Sequence, residues 1–498
     1  MEGEDPIRQY LADLRTQRKR HLLDFNGRDY LVDKFTDNGA AYYKCRECKR
    51  GRVTSLPDGS VEETKPCNDS CIPLSLEQRL CEVAKEKASR ICAERTTLTP
   101  QECYNIVRNE LYQLHPAAIA FFPLFTGLKG RMKYARKKNL PRIPTSYSTI
   151  PPVEDFLPTY LLDYSLQNRF LCLNQVYFPE DWHAPLVPLR IIGFMSVGSI
   201  SKLANAEKIF IDGTFKVCPV PFMQLLIIST MRGAEDKCKI IPRLFVLLPS
   251  KSEHCYCAFF DCLFNMLHND HSIPRQNIRW RNVSLDFETG LIAAFKNFVS
   301  TNDNQLILEG CNFHFAQCLH RKLTSPEIGL AVEYNRDNSA LKGFVKKLLA
   351  LAFLPVSKVI GTYLQLLHLN ELVAPFTDPT GAISQPQLTA FCEYFLQYWL
   401  LNDDRIHMFN CYDRDRHRTN NYMEGANHKV QVALKLKSNL WKFIDGLKEI
   451  DHNAHMDEEQ IDAGEDIPIQ QKKYRKKEAS LKRMKEMYEA RQYVSRGT

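Results

Sequence analysis

The amino-acid sequence predicts a multidomain α/β protein, and three observations carry this prediction. The chain has 498 residues, which is too long for a single hydrophobic core of ordinary size. Hydrophobic residues make up 44% of it, which is enough apolar surface for a core in each of several domains. Between residues 205 and 325, short apolar runs alternate with longer amphipathic ones, a pattern that is typical of a sheet covered by helices.

Residues 1–20 form a basic N-terminal arm, and residues 21–73 predict a small antiparallel sheet. Apolar and polar residues alternate over Asp24–Asp33, Ala40–Cys45 and Gly51–Lys65. Pro57-Asp58-Gly59 interrupts the last of these stretches and indicates a tight turn. We therefore expect short strands joined by hairpins.

Four cysteines in this small sheet are spaced for a structural Zn²⁺ site. Cys45 and Cys48 are separated by two residues, and Cys67 and Cys71 by three. Two thiolate pairs of this kind suit tetrahedral zinc. A sheet of this size buries too little apolar surface to be stable alone, so the metal would matter for folding. The alternative is four unrelated cysteines.

Residues 74–150 predict a helical module followed by a proline-rich linker. The apolar period becomes helical after Ser75, and Thr97-Leu98-Thr99-Pro100 is a helix start signal ahead of a helix over Glu102–Leu114. The linker holds Pro141, Pro144, Pro151 and Pro152, which exclude a helix there. Residues 151–204 are assigned only as a connecting segment.

Residues 205–315 predict the first part of the main α/β core. Strands are expected at Lys208–Phe215, Phe222–Met231, Ile240–Leu248, Ile278–Asp286 and Gln305–Phe313, with helices at Glu253–Leu267 and Gly290–Val299. Three consecutive strands followed by alternating helices and strands is the order of an RNase H-like sheet, in which antiparallel pairing gives way to parallel pairing. Other α/β folds share this order.

The remaining third of the chain is predicted to be mainly helical. Residues 316–418 indicate an all-helical insertion, and residues 419–450 the final helix of the core. Residues 451–498 are expected to form an acidic spacer, Asp457–Asp466, followed by a basic tail.

Three carboxylates are candidates for a divalent-metal site. Asp212 follows the apolar run Ile209–Ile211, Asp286 follows Val283–Leu285, and Glu424 lies in a helix that begins after a Thr-Asn-Asn cap signal. Cleavage and transfer of phosphodiesters use two divalent ions held by converging carboxylates, and Mg²⁺ or Mn²⁺ prefers such oxygen ligands. Any one of these residues alone is more often a surface residue. Glu288 competes for an accessory role.

Basic residues are gathered into three runs, at Arg15–Arg20, Lys129–Lys138 and Lys472–Met487. Such clusters attract a phosphate backbone through counterion release, although a solvated face or a nuclear localisation signal is the alternative for each. The predicted DNA contacts are Arg18, Lys19, Arg20, Arg131, Lys133, Arg136, Lys137, Lys138, Arg416 and Arg418. Arg416 and Arg418 directly precede the third carboxylate, where a solvated loop is an equal alternative.

The cysteine and apolar patterns exclude several classes of protein. Most of the 17 cysteines stand singly in apolar stretches, as core thiols do, and not in a disulfide framework. We see neither an N-terminal leader nor an apolar run of about 18 residues. The sequence therefore predicts a reduced, intracellular protein without a membrane segment, located in the nucleus in a eukaryotic host.

Four motifs in order resemble the transposase domain of Mutator-like elements (MULE). They are Asp-Gly-Thr-Phe at 212, Asp-Phe-Glu at 286, Gly-Cys-Asn-Phe-His-Phe at 310 and Asn-Asn-Tyr-Met-Glu-Gly at 420. Phe121-Phe122-Pro123 and the run Arg131–Pro141 also resemble the helical DNA-binding module of related eukaryotic transposases. The resemblance covers about residues 75–435.

Residues 21–72 resemble FLYWCH and related WRKY/GCM-like zinc modules. The similarity lies in Phe25, Gly27, Tyr30, Tyr42 and Tyr43, which precede the first ligand. Two departures are clear: Tyr43 stands at the usual tryptophan position, and Cys67 and Cys71 replace the terminal His-x-His pair. Such modules usually bind DNA.

The MULE resemblance implies a DDE mechanism that nicks transposon ends and joins them to target DNA. Asp212, Asp286 and Glu424 would then ligate the catalytic metal, and Cys311 and His314 would match a Cys-x2-His motif that positions the active site and DNA. The partners would be double-stranded DNA at terminal inverted repeats and a second copy of the chain, or a higher oligomer. For Cys311 and His314, a second zinc half-site with Cys318 or His320 and a purely structural histidine stay open.

The first functional hypothesis is a cut-and-paste transposase. The second is a domesticated transposase that regulates transcription by binding DNA without catalysis. An RNase H-like RNA nuclease is a third, and the paired DNA-type modules before the core argue against it.

Overall fold

A computed structural model describes the chain over residues 22–26, 28–36, 39–95, 98–178, 188–234, 237–269, 278–301, 306–337, 339–368, 385–414, 429–434, 438–467 and 472–496. The chain divides into two compact units, Met1–Arg142 (unit 1) and Ile143–Thr498 (unit 2). The predicted site residues Arg18, Lys19, Arg20, Arg416, Arg418 and Glu424 lie outside the described residues.

Unit 1 begins with the predicted small antiparallel sheet. Its five strands pair in chain order and are β1 Leu22–Phe25, β2 Arg28–Phe35, β3 Ala41–Cys45, β4 Arg52–Ser55 and β5 Val61–Lys65. Tyr30 of β2, Tyr43 of β3 and Val53 of β4 are buried on one face of the sheet. They form a small core together with Cys45 and Cys71. This core is only a few side chains deep.

Three α-helices complete unit 1: α1 Leu76–Glu94, α2 Pro100–Leu114 and α3 Phe125–Asn139. Ser75 and Thr99 close capping boxes with Gln78 and Glu102, so the sequence signals for both helix starts are confirmed. The apolar stripes of the helices pack into a core of their own, separate from the core of the sheet.

Unit 2 is built on a seven-stranded mixed sheet in the order β12-β11-β8-β9-β10-β7-β6. The strands are β6 Leu171–Tyr177, β7 Leu189–Phe194, β8 Lys208–Thr214, β9 Gln224–Ala234, β10 Lys237–Leu248, β11 Asn282–Leu285 and β12 Ile307–Gly310. Pairing is parallel between β8, β11 and β12 and antiparallel from β8 through β6. The mixed α/β class is confirmed.

The five predicted strands are present, but their limits differ. The strand predicted over Ile278–Asp286 is confined to β11, and the one predicted over Gln305–Phe313 is confined to β12. Asn312 starts a helix directly after β12, which shortens that strand. The segment 151–204, expected only to connect domains, contributes β6, β7 and the short helices α4 Pro158–Leu161 and α5 Val197–Ala204.

Helices cover the sheet and fill the central part of unit 2. They are α6 Glu253–Asn269, α7 Thr289–Thr301, α8 Asn312–Thr324, α9 Ala331–Asn335, α10 Ala340–Ala350, α11 Val356–His368, α12 Gln385–Phe395 and α13 Asp403–Phe409. The described part of residues 316–414 contains helices and turns and no strand. Its core is aromatic: Trp399 packs edge-on against Phe315 and Phe287, and Phe315 stacks on Phe409.

The predicted acidic spacer is wrong, because most of it belongs to a long helix, α14 Leu440–Asp462. Its acids pair with bases on the sheet, among them Asp457 with Lys239 at 2.5 Å. Glu458 is 1% exposed and accepts from Arg243 and Lys202. The basic tail forms a further helix, α15 Lys472–Arg496. Within the described residues, no helix is long and apolar enough to cross a membrane.

Candidate metal centres

Asp212 and Asp286 meet at the carboxyl ends of adjacent parallel strands. Ser284 of β11 is in register with Phe210 of β8, so the same register, continued by two residues, brings the two aspartates side by side. Asp212 is 7% exposed, because it lies within a strand that is otherwise apolar. A carboxylate is therefore held inside the sheet, where a hydrophobic side chain would normally lie.

His314 joins these carboxylates from the first turn of α8. Its Nδ1 lies 2.5 Å from Oδ1 of Asp286, and the nearest donor atoms of Asp212, Asp286 and His314 all lie within 4.8 Å of one another. Cys311 is buried directly before the helix and is its N-cap residue. The Cys-x2-His spacing thus places His314 one helical turn after the end of β12.

Two neighbouring carboxylates and the histidine that contacts one of them determine the electrostatics of this cluster. Burial, and then repulsion from Asp286, raise the pKa of Asp212 to about 7. Burial acts to lower the pKa of His314, but the contact with Asp286 and the nearby Cys311 thiol raise it to about 11. Apart from its contact with His314, Oδ1 of Asp286 is enclosed without a hydrogen-bond donor among the described residues. Each of the three side chains offers one atom that could bind a metal ion, and without an ion the positive charge that faces Asp286 is the protonated ring of His314.

Glu424 lies outside the described residues, but both neighbouring segments contact the strand ends that carry the cluster. Arg414 donates through Nη1 to the carbonyl of Gly310 at 2.7 Å, at the end of β12. Gln431 donates through Nε2 to Oγ1 of Thr214 at 3.2 Å, at the end of β8. Neither contact was predicted, because no local sequence pattern indicates which distant residue a polar side chain will contact.

Glu288, the predicted competitor, lies beside the cluster and not in it. It accepts a hydrogen bond from the Tyr256 hydroxyl at 3.0 Å, and Lys251 Nζ lies 4.0 Å from its other oxygen. Among the described residues, the clusters of three or more possible metal ligands do not include Glu288, Cys311, Cys318 or His320. The described residues therefore give no support to a second zinc half-site at Cys311 and His314.

The four cysteines of unit 1 converge as their spacing predicts. The Sγ atoms of Cys45, Cys48, Cys67 and Cys71 all lie within 4.8 Å of one another, and those of Cys45 and Cys71 are 3.7 Å apart. A tetrahedral site with Zn–S bonds of about 2.3 Å requires sulfur atoms roughly 3.8 Å apart. The cluster can therefore hold zinc.

The polypeptide around this cluster favours a thiolate at Cys48. Hydrogen bonds from the backbone of Gly51, Asn68 and Arg50 lower the pKa of Cys48 to about 5. Burial raises the pKa of Cys71 to about 12, as expected for several thiols crowded together without a cation. A Cβ at position 51 would overlap the sulfur of Cys67, so glycine is required where the chain passes the cluster.

The described DNA-contact candidates all lie on α3. Lys133, Lys137 and Lys138 are exposed, and Arg131 is ion-paired with Glu86 at 2.8 Å. Arg136 corrects the prediction: it is 7% exposed, and its guanidinium donates to the carbonyls of Cys92, Arg95 and Leu98. Its position one turn after the buried Met132 puts it on the inward face of the helix.

Comparison of the chain with protein-family models, curated proteins and solved structures finds no match. The family and the activity of the chain are therefore inferred from its sequence motifs and from the geometry of the two clusters.

Proposed function

We propose that the chain is a Mutator-like DNA transposase that cleaves and joins double-stranded DNA with a metal-dependent DDE active site. The observation that carries the proposal is the pairing of Asp212 and Asp286 at the carboxyl ends of β8 and β11. The strand order β10-β9-β8-β11-β12, with antiparallel and then parallel pairing, agrees with the RNase H-like core that the sequence predicts.

The proposed ligands of Mg²⁺ or Mn²⁺ are Asp212, Asp286 and Glu424. Support for Glu424 comes from the motif Asn-Asn-Tyr-Met-Glu-Gly at 420, and it precedes Gln431 by seven residues in the sequence. Gln431 contacts Thr214, two residues beyond Asp212 on β8. When bound, the ions supply the positive charge that activates an attacking hydroxyl and stabilises the leaving oxygen.

The residues of the chain have separate roles in this proposal. Burial and Asp286 raise the pKa of Asp212 to about 7, so in the metal-free protein it would be protonated in part of the molecules near neutral pH, and a bound cation would favour its carboxylate form. His314 positions Asp286 through its Nδ1 contact and so orients the carboxylate. In unit 1 we propose Zn²⁺ on the four cysteines, and DNA binding by this zinc module and by the exposed lysines of α3.

The test is Mg²⁺-dependent nicking of duplexes that carry the terminal inverted repeats flanking the gene. We expect Asp212→Asn and Glu424→Gln each to slow nicking by more than about 100-fold, beyond the loss typical of an outer-shell change. His314→Gln should slow nicking less, by about 10- to 100-fold, as is typical of an outer-shell change. The exposed Glu449→Gln is the matched control.

Two results would contradict the proposal in different ways. Equal nicking by wild type and Asp212→Asn would remove Asp212 from the active site. Wild-type protein that binds the repeats with Mg²⁺ present and never cuts them would favour the DNA-binding regulator.

A further inference from the structure

The helix α15 carries almost the whole net charge of the protein. It contains ten lysines and arginines and three glutamates, a net charge of +7, whereas the entire chain has +8. A 25-residue helix is about 37 Å long, close to one turn of duplex DNA at about 34–36 Å. Its charge and length therefore suit a nucleic-acid backbone.

One face of this helix is docked on the body of unit 2 through Tyr412. The Tyr412 hydroxyl donates to Oε1 of Glu489 at 2.9 Å, and Lys485 Nζ donates to the Tyr412 carbonyl at 2.8 Å. Lys485 Nζ also lies 4.5 Å from the centre of the Tyr412 ring, and Tyr488 contacts that ring edge-on. The half-buried residues Glu478, Leu481, Lys485 and Tyr488 recur at helical spacing and define this docked face.

The opposite face is basic and exposed. Lys476 and Arg483 are seven residues apart, so they lie two turns from each other on the side away from Tyr412. Lys477 and Lys482 are also exposed and lie on the two sides of the helix, between this face and the docked face. The residues between them on this face are small, as at Ala479 and Ser480, so a phosphate backbone can approach closely.

The docking point connects the helix to the carboxylate cluster. Tyr412 is two residues before Arg414, whose guanidinium donates to the carbonyl of Gly310 at the end of β12. Gly310 directly precedes Cys311, and His314 follows within one helical turn. The basic helix is thus attached to the same segment that borders the candidate active site.

We propose that α15 binds the phosphate backbone of duplex DNA next to the carboxylate cluster and holds it there during cleavage. The inference rests on the proposed function for the identity of its ligand. Duplex DNA is favoured over an acidic protein, because the exposed side of the helix is dominated by lysine and arginine. Its large apolar side chains, among those described, are limited to Met484 and Met487, whereas a protein interface needs a central apolar patch.

The first experiment measures binding of a random-sequence duplex by fluorescence anisotropy across a range of KCl, in an Asp212→Asn background without added divalent ion. The variant combines Lys476→Ala, Lys477→Ala, Lys482→Ala and Arg483→Ala. We expect at least about a tenfold loss of affinity near 0.1 M salt, and a salt slope smaller by up to about 3.6, since each of the four phosphate contacts contributes about 0.9.

The matched control exchanges the same four residues for the other basic type, Lys→Arg and Arg→Lys, and should keep both affinity and slope. Unchanged affinity and slope in the alanine variant would overturn the proposal. Single-stranded RNA that binds as tightly as the duplex, and loses as much in the alanine variant, would overturn the assignment to duplex DNA.

A second experiment tests the docking of the helix by limited trypsin digestion of the full chain. Tyr412→Ala should speed cleavage within residues 472–496, and Tyr412→Phe, which keeps the ring, should have a smaller effect. Duplex DNA should slow this cleavage in the wild type. Equal rates in Tyr412→Ala and wild type would contradict docking through Tyr412.

These measurements are independent of catalysis. A protein that binds DNA through α15 and never cuts it would contradict the proposed function alone. A protein that cuts, and whose four-alanine variant binds DNA normally, would contradict the role of α15 alone.

Discussion

Single residues set the chemistry of both clusters. Asp212 is placed where the strand pattern calls for an apolar side chain, and Gly51 where a side chain would enter the cysteine cluster. At both positions the residue type is explained by its surroundings in the folded protein and not by the secondary-structure propensity of the residue.

Gly51→Ala should weaken metal binding in unit 1, because the added Cβ overlaps the sulfur of Cys67 and approaches Cys45. Overpacking of this kind costs about 1–3 kcal/mol. We expect less than full zinc content by mass spectrometry of the native protein. Gly130→Ala, in open space on α3, is the control and should retain full zinc.

Asp451→Asn should stabilise unit 2 at neutral pH. Burial raises the pKa of Asp451 to about 6, while the Ser196 hydroxyl donates to it at 3.2 Å. The folded state therefore binds this proton more tightly than the unfolded state, and stability falls as the pH rises from about 4 through about 6. The amide keeps the acceptor and has no charge to bury.

The measurement is the unfolding temperature of wild type and Asp451→Asn against pH. The variant should be higher by a few degrees near neutral pH, from a gain of about 2 kcal/mol, and close to wild type near pH 4. Glu449→Gln, exposed on the same helix, is the control. A variant that is less stable near neutral pH would contradict the explanation.

At the scale of elements, a buried ion pair holds the long helix α14 on the sheet. Glu458 of α14 is 1% exposed and accepts from both terminal nitrogens of Arg243, at 2.8 and 2.5 Å. These contacts and Lys202 overcome the effect of burial and lower the pKa of Glu458 to about 2. The ionised Glu458 therefore stabilises the folded state at pH values above the ordinary glutamate pKa, and this stabilisation is lost as the pH falls toward 2.

Glu458→Ala should destabilise unit 2 by about 3–5 kcal/mol, because it leaves the arginine charge buried without its partner. Asp462→Ala, which removes the exposed partner of Arg232 on the same helix, should cost about 0–1 kcal/mol. Urea unfolding of the two variants gives the comparison. Equal losses would show that burial of the Arg243–Glu458 pair is not what matters.

Strands and helices could be predicted where the apolar period and the helix-start signals were strong. The change of apolar period at Ser75 and the Thr-Leu-Thr-Pro signal at 97–100 predicted two helix starts, and the order of β8 to β12 followed from alternating runs. The strands β6 and β7 were missed, because they precede the run of alternating strands and helices and lie in the segment 151–204, which was assigned only as a connection. The acidic run at the end of α14 was misassigned because its partners are distant bases on the sheet.

At the scale of the whole molecule, the two units differ in what stabilises them. Unit 2 has a large core of apolar and aromatic side chains. The sheet of unit 1 buries only a handful of apolar residues around the cysteines. Small sheets of this kind depend on a metal or another cross-link.

Zinc chelation should therefore unfold the sheet of unit 1 and leave unit 2 folded. Hydrogen exchange of the full chain, followed by mass spectrometry, should show lost protection in β1 to β5 and unchanged protection in β8 to β10 after a chelator is added. Re-addition of zinc should restore it. Protection that persists in β2 and β3 without metal would show that the cysteines are not needed for folding.

The α/β class, the four-cysteine cluster and the two aspartate candidates could be predicted from the chain alone, because apolar period and ligand spacing are local patterns. The His314–Asp286 contact, the burial of Arg136 and the place of the acidic run in a docked helix are known only from the folded protein. Those facts depend on pairing between residues far apart in the chain. Such pairing is set by how the elements pack, and no local pattern encodes it.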